Sequence, residues 1–145
     1  MRDRGKLTDL CERFGFAYYR GWATILNGWA EGGTAGLRAA RAGIDSLEQE
    51  GSLARMTYWL TLVADLHRRE GNTAAATAVL DAATSFAFEH DDQWWLPEVL
   101  RARAALDPGR GQNQRLERAA ELAQSQSSTT LLARCRADVD ARFEI

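Results

Sequence analysis

Two stretches of this chain copy one another. "EGGTAGLRAARAGIDSL" begins at Glu31, and "EGNTAAATAVLDAATSF" begins 39 residues later at Glu70. Glu-Gly, Thr34/Thr73, Ala35/Ala74, Ala39/Ala78 and Ser46/Ser85 coincide. A period of this length holds two helices and their turns and is too short for a domain. Such a unit cannot bury its apolar face alone, so the repeat restricts the chain to a stack of similar units. Small residues recur in both copies where the two helices of a hairpin must approach closely.

The rest of the chain has the same texture. Apolar residues recur at helical spacing: Tyr18, Trp22, Ile25 and Trp29; Leu37, Ala40, Ile44 and Leu47; Leu53, Met56, Leu60 and Val63. Glycine or polar turns stop each run, at Gly15, Glu31–Gly33, Gly51, Gly71-Asn72 and Asp107–Gly111. The spacing predicts helices near 5–14, 16–31, 34–50, 53–70, 73–89, 95–106, 113–125 and 128–143. No stretch alternates apolar and polar residues over strand length. Short turns between helices make neighbours antiparallel. In the stretch Trp59 to Phe88, Ala64, Gly71, Ala76, Leu80 and Ala83 fall at the small, turn, small, large and small positions of a tetratricopeptide unit. The expectation is an all-α protein: one domain over 1–145, a tetratricopeptide-like right-handed solenoid of about eight helices in antiparallel hairpins.

Charge and composition narrow the partners. The chain has 145 residues, a net charge of −2 and a pI near 5.7, so a direct nucleic-acid role is not expected. No apolar run reaches membrane-spanning length, and no apolar core follows the first charges, so a cytoplasmic protein without membrane contact is expected. Cys11 and Cys135 read as two reduced, half-buried thiols. They sit on apolar stripes with no histidine near in sequence, which argues against a nucleophilic enzyme. His67 with Glu70 lacks a third ligand, and the consecutive side chains of His90-Asp91-Asp92 converge poorly on one ion; neither is expected to hold a metal, and no cofactor is expected.

The binding candidates come from the solenoid register. If Ala104 is the small position of a third unit, Glu98 and Arg101 face the concave surface; the same counting places Tyr58, Thr61 and Asp65 there in the second unit, and Arg20 and Asn27 in the first. Glu98 and Arg101 are also spaced to pair on one helix face. Trp22, Trp29, Trp94 and Trp95 are candidate aromatic anchors. In "HDDQWWLPEVLRARAAL" (His90–Leu106), Pro97 fits the first turn of a helix, so both tryptophans belong at or just before its start. One of them can pack back near Phe86 and Phe88, with Asp91 and Asp92 complementing the helix N-terminus. The other reading is a solvent-facing tryptophan that anchors a partner.

Four blocks carry a family resemblance: "GWAEGG…GLRAARAGI", "YWLTLVADLHRREGN…AVLDAA", "WWLPEVLRARAAL" and "RAAELAQSQSSTTLLARCRA". In that order they resemble the C-terminal tetratricopeptide-like region of large bacterial, chiefly actinobacterial, STAND-type signal-transduction ATPases that also carry a nucleotide cyclase domain or a LuxR-type helix-turn-helix. The resemblance implies a sensor and protein-interaction arm, with catalysis and DNA binding in other domains. No GxxxxGK[ST] loop is present, and "DPGRGQ" is a turn. Non-catalytic capture of a protein or peptide is therefore expected, with an ATPase, cyclase or LuxR-type protein among the partners. Phe143 and Ile145 leave an apolar solenoid end, so a homodimer through that end is also expected. The alternative is a small-molecule-sensing domain that controls such a regulator.

Overall fold

The computed structural model describes residues 17–109 and 111–143. The described residues are all-helical, with seven helices and no strand. The helix expected near 5–14 lies outside them. The chain divides into two compact units, 1–54 and 55–145. No helix among the described residues is long and apolar enough to cross a membrane.

The first unit holds α1 (Ala17–Glu31) and α2 (Gly33–Gln49), which pack together. Gly32 and Gly33 join them at φ 72° and 64°, backbone that glycine adopts without steric penalty. Glycines also set how close the two rods come. A Cβ on Gly28 would lie 2.6 Å from the carbonyl oxygen of Gly36, and one on Gly43 would lie 2.9 Å from that of Gly21. Each helix thus presents two glycines seven residues apart, with bare backbone against bare backbone. Ile25, Ala40 and Leu47 are completely buried in the same hairpin.

The second unit holds α3 (Met56–Arg69), α4 (Thr73–Glu89), α5 (Leu96–Leu106), α6 (Gln112–Ser125) and α7 (Thr129–Phe143). Each helix packs on the next; in addition α3 touches α5, and α5 touches α7. Ala64, Leu80, Ala83, Ala87, Leu96 and Val99 form the core under α3, α4 and α5. Helix bounds match expectation within two residues except at α3, expected from 53. It starts at Met56 because Arg55 takes a left-handed φ of 63°, which no helix can include.

One buried spacing recurs from helix to helix. Four buried positions recur at the same spacing on three helices: Gly36, Ala40, Gly43 and Leu47 on α2; Ala76, Leu80, Ala83 and Ala87 on α4; Gln112, Leu116, Ala119 and Ala123 on α6. The step is 40 residues from α2 to α4 and 36 from α4 to α6, not the 39 of the matched letters. The difference has a physical origin. Thr34, Ala35, Thr73 and Ala74 are exposed, so their coincidence reports composition, whereas the buried spacing reports the face that must pack.

Turn chemistry repeats as well. After α2, α3, α4 and α6 the chain closes with two backbone bonds and one left-handed residue. Ser52 N–H donates to the Leu47 carbonyl at 2.8 Å, Asn72 to His67 at 2.9 Å, Asp92 to Ala87 at 2.9 Å and Ser128 to Ala123 at 2.9 Å. The left-handed residue is Gly51 or Gly71 in two cases, but Asp91 (φ 50°) and Ser127 (φ 56°) in the others. Asp91 therefore closes the end of α4, a role different from the expected charge at the start of α5. Asp91→Gly and Ser127→Gly are each expected to stabilise the protein by about 0.5–1 kcal/mol, since relief of the left-handed strain exceeds the entropy glycine loses on folding. Urea titrations of both variants check this; an unchanged or lowered midpoint contradicts it.

Candidate functional site

The helices α3 and α7, each in contact with α5, carry with it most of the sequence-derived candidates, in two groups. The first is aromatic. Trp94 and Trp95 stand just ahead of α5, as the proline signal implied: Trp95 occupies its N-cap and Pro97 its first turn. Because both precede the regular helix, the angular separation of adjacent helical residues does not apply, and their rings converge, with centroids 5.1 Å apart. Tyr58 on α3 receives them, at 5.1 Å from Trp95 in an edge contact and 6.4 Å from Trp94. The expected packing near Phe86 and Phe88 is replaced by this one; Phe86 stacks on His90 instead, and Phe88 is exposed.

Polar contacts lock the aromatic group. The Trp95 indole N–H donates to Thr61 Oγ1 at 3.1 Å, and the Thr61 hydroxyl donates to the Tyr58 carbonyl at 2.6 Å. The Arg55 guanidinium lies 5.8 Å from the Trp94 ring centroid, a cation–π distance. Trp94 itself keeps 42% of its surface exposed, while Trp95 packs against the core of the unit. The result is one half-buried indole supporting an open one.

The second group is ionic. Arg101 donates to both oxygens of Glu98, at 2.7 and 2.9 Å, and to Asp138 of α7 at 2.8 Å. Arg134 of α7 comes within 3.6 Å of Glu98. The hydrogen bonds that Arg101 donates to Glu98 outweigh the burial that opposes them, so Arg101 holds its proton more firmly than a free guanidinium. This network ties α5 to α7 and leaves Arg101 committed to two carboxylates.

The remaining candidates separate. Asp65 is drawn to the last turn of its own helix by Arg68 (2.7 Å) and Arg69 (2.6 Å). Arg20, Asn27, Trp22 and Trp29 lie on α1 of the first unit, where Arg20 and Asn27 are exposed and Trp22 meets Tyr19 edge-on at 5.3 Å. Arg55, Arg134 and Asp138 were not among the candidates. Asp138 stands 37 residues from Arg101, and only the register of α7 against α5 brings them together. Arg55 gave no local signal, because its position depends on a left-handed backbone.

No protein-family model matches the chain, and no solved structure matches it. It is similar to an uncharacterized protein of Rhizobium meliloti (strain 1021). The two are 29% identical over 140 residues, an alignment that covers 90% of this chain and 14% of the relative. The chain thus spans only a small fraction of the length of that relative.

Cys135, expected to be half-buried, is completely buried and free; Cys11 lies outside the described residues. Burial pushes the Cys135 thiol up, with Arg101 opposing in part. In a Cys11→Ser background, alkylation of Cys135 by iodoacetamide is expected to run at least about 100-fold slower in the native chain than in denaturant. Comparable rates would contradict the packing of α7. Among the described residues no three His, Cys, Asp or Glu side chains are grouped to hold a metal ion.

Proposed function

We propose that this chain is a non-catalytic helical-repeat interaction module that binds a protein or peptide on the face shared by α3, α5 and α7. A tetratricopeptide-like solenoid is the arrangement this reading assumes. It is supported by the recurring buried spacing on α2, α4 and α6 and by the contacts of α3 with α5 and α5 with α7. The resemblance to the sensor arm of STAND-type ATPases and LuxR-type regulators suggests a cytoplasmic signalling partner of that kind.

One observation carries the reading: Trp94 is exposed, yet its ring packs against Tyr58 and Trp95. An aromatic side chain fixed before binding loses little entropy on binding, and such residues dominate interface energetics. The ionic groups of the same face neutralise one another, so they set its shape and leave the aromatic group to supply affinity. Trp94 stands on an open surface, which fits a macromolecule better than a small effector; the sensor reading would need an enclosed aromatic cavity. Two concavities of the second unit, about 470 and 260 Å3, carry no aromatic lining.

A displayed library of random peptides tests this. Selected binders are expected to lose at least about 10-fold in affinity on Trp94→Ala, with the circular dichroism spectrum unchanged. Binders indifferent to both Trp94→Ala and Tyr58→Ala, or none recovered at all, would overturn it.

A further inference from the structure

We propose that the groove between α6 and α7 is the contact face for a second copy of this chain. It lies on the side of α7 away from Arg134 and Asp138, and so away from the face considered above. Its floor is apolar: Ala120 from α6, Leu132 and Val139 from α7, all half-buried. Its walls differ in charge. The α6 wall carries Glu117 and Glu121, and the α7 wall carries Arg136.

These charges lack what others in the unit have. Arg101, Arg103 and Arg115 each hold a carboxylate within 2.9 Å. Among the described residues Arg136 and Glu117 are in no ion pair, and Glu121 reaches only the exposed Arg118, at 4.0 Å. Helices α6 and α7, joined by a short turn and packed together, run antiparallel, so Arg136 lies near the level of Ala120.

A two-fold axis along the groove satisfies the unpaired groups. It lays α6 of one copy over α7 of the other. Glu117 and Glu121 then face the partner subunit's Arg136, and the symmetry repeats the contact. Ala120, Leu132 and Val139 close over one another at the centre. Asp140, at the far end of the groove, is left near an acidic wall, which weakens the pairing. The face is about 21 Å long and two helices wide, roughly 400 Å² per copy, which is half the area of a standard stable interface. The dimer is therefore a dilution-sensitive one, steered by charge.

Sedimentation equilibrium on the whole chain, from about 10 µM to about 1 mM at low salt, reads the association directly. The average mass is expected to rise from 16.1 kDa towards twice that value. Raising the salt to about 0.5 M should weaken association several-fold. Arg136→Glu and the double variant Glu117→Arg/Glu121→Arg should each be monomeric alone and associate on mixing, because each then supplies the charge the other lacks. All three side chains are exposed, so circular dichroism should show the fold intact. A constant 16.1 kDa across the range, an Arg136→Glu protein that associates like wild type, or swapped variants that ignore each other would each overturn the proposal. Trp94→Ala leaves this association unchanged, so failure here and failure of peptide binding are read separately.

Discussion

Alanine at Gly36 is expected to destabilise the first unit by about 2 kcal/mol, and valine by about 3 kcal/mol or more. Helix propensity alone gives the opposite sign. Gly36 lies inside α2, where alanine should gain about 1 kcal/mol. The opposing term is steric. An added Cβ would overlap the carbonyl oxygen of Gly28, a backbone atom that no rotamer change can move. The helices would have to part, and parting them opens the contacts of Ile25, Ala40 and Leu47 along the whole hairpin. Gly28→Ala should behave alike, since its Cβ would sit 2.6 Å from the Gly36 oxygen. Gly109→Ala is the control. There the nearest atom is a side-chain oxygen of Asp107 at 3.3 Å, and the change is expected to stay within about 0.5 kcal/mol. Amide hydrogen exchange across residues 17–49 reads the helices of the first unit directly. Slower exchange in Gly36→Ala would show that propensity wins and that the backbones do not touch.

This glycine contact also marks the limit of what could be read from the letters. Helices were legible because their apolar faces recur every three or four residues, and Gly51 and Gly71 were legible as stops because glycine takes the left-handed cap without strain. Asp91 and Ser127 perform the same task, but aspartate and serine more often begin helices, so Asp91 read as a charge at the start of α5. Small residues were legible as a class marking close helix approach, but the pairing of Gly28 with Gly36 and of Gly43 with Gly21 exists only once the two helices are packed. The matching letters ran one residue out of step with the buried faces of α2 and α4, because none of them lies on those faces and the buried set contains Gly, Ala, Leu and Gln at equivalent places. In the site, Glu98 with Arg101 followed from a three-residue spacing. Asp138 did not, since no local rule links residues on helices that meet only through packing.

The adjacent tryptophans should give opposite results when each is truncated. Trp95→Ala is expected to lower the stability of the second unit by about 3 kcal/mol, while Trp94→Ala lowers it by about 1 kcal/mol or less. Trp95 packs against the cluster of Ala64, Leu80, Ala83, Ala87, Leu96 and Val99, so its loss leaves a void that the helices can close only by shifting. It also orphans the Thr61 hydroxyl as an acceptor, although that hydroxyl still donates to the Tyr58 carbonyl. Trp94 has rings on one side and water on the other, so truncation removes surface that was already 42% exposed. Urea titration followed by circular dichroism measures both. A double-mutant cycle of Trp95→Phe with Thr61→Val isolates the indole hydrogen bond, with an expected coupling of about 1 kcal/mol. Equal losses for the two alanine variants would mean that Trp94 is as much a part of the core as Trp95. It would then not be a surface held ready for another molecule, and the aromatic face would owe its shape to folding alone.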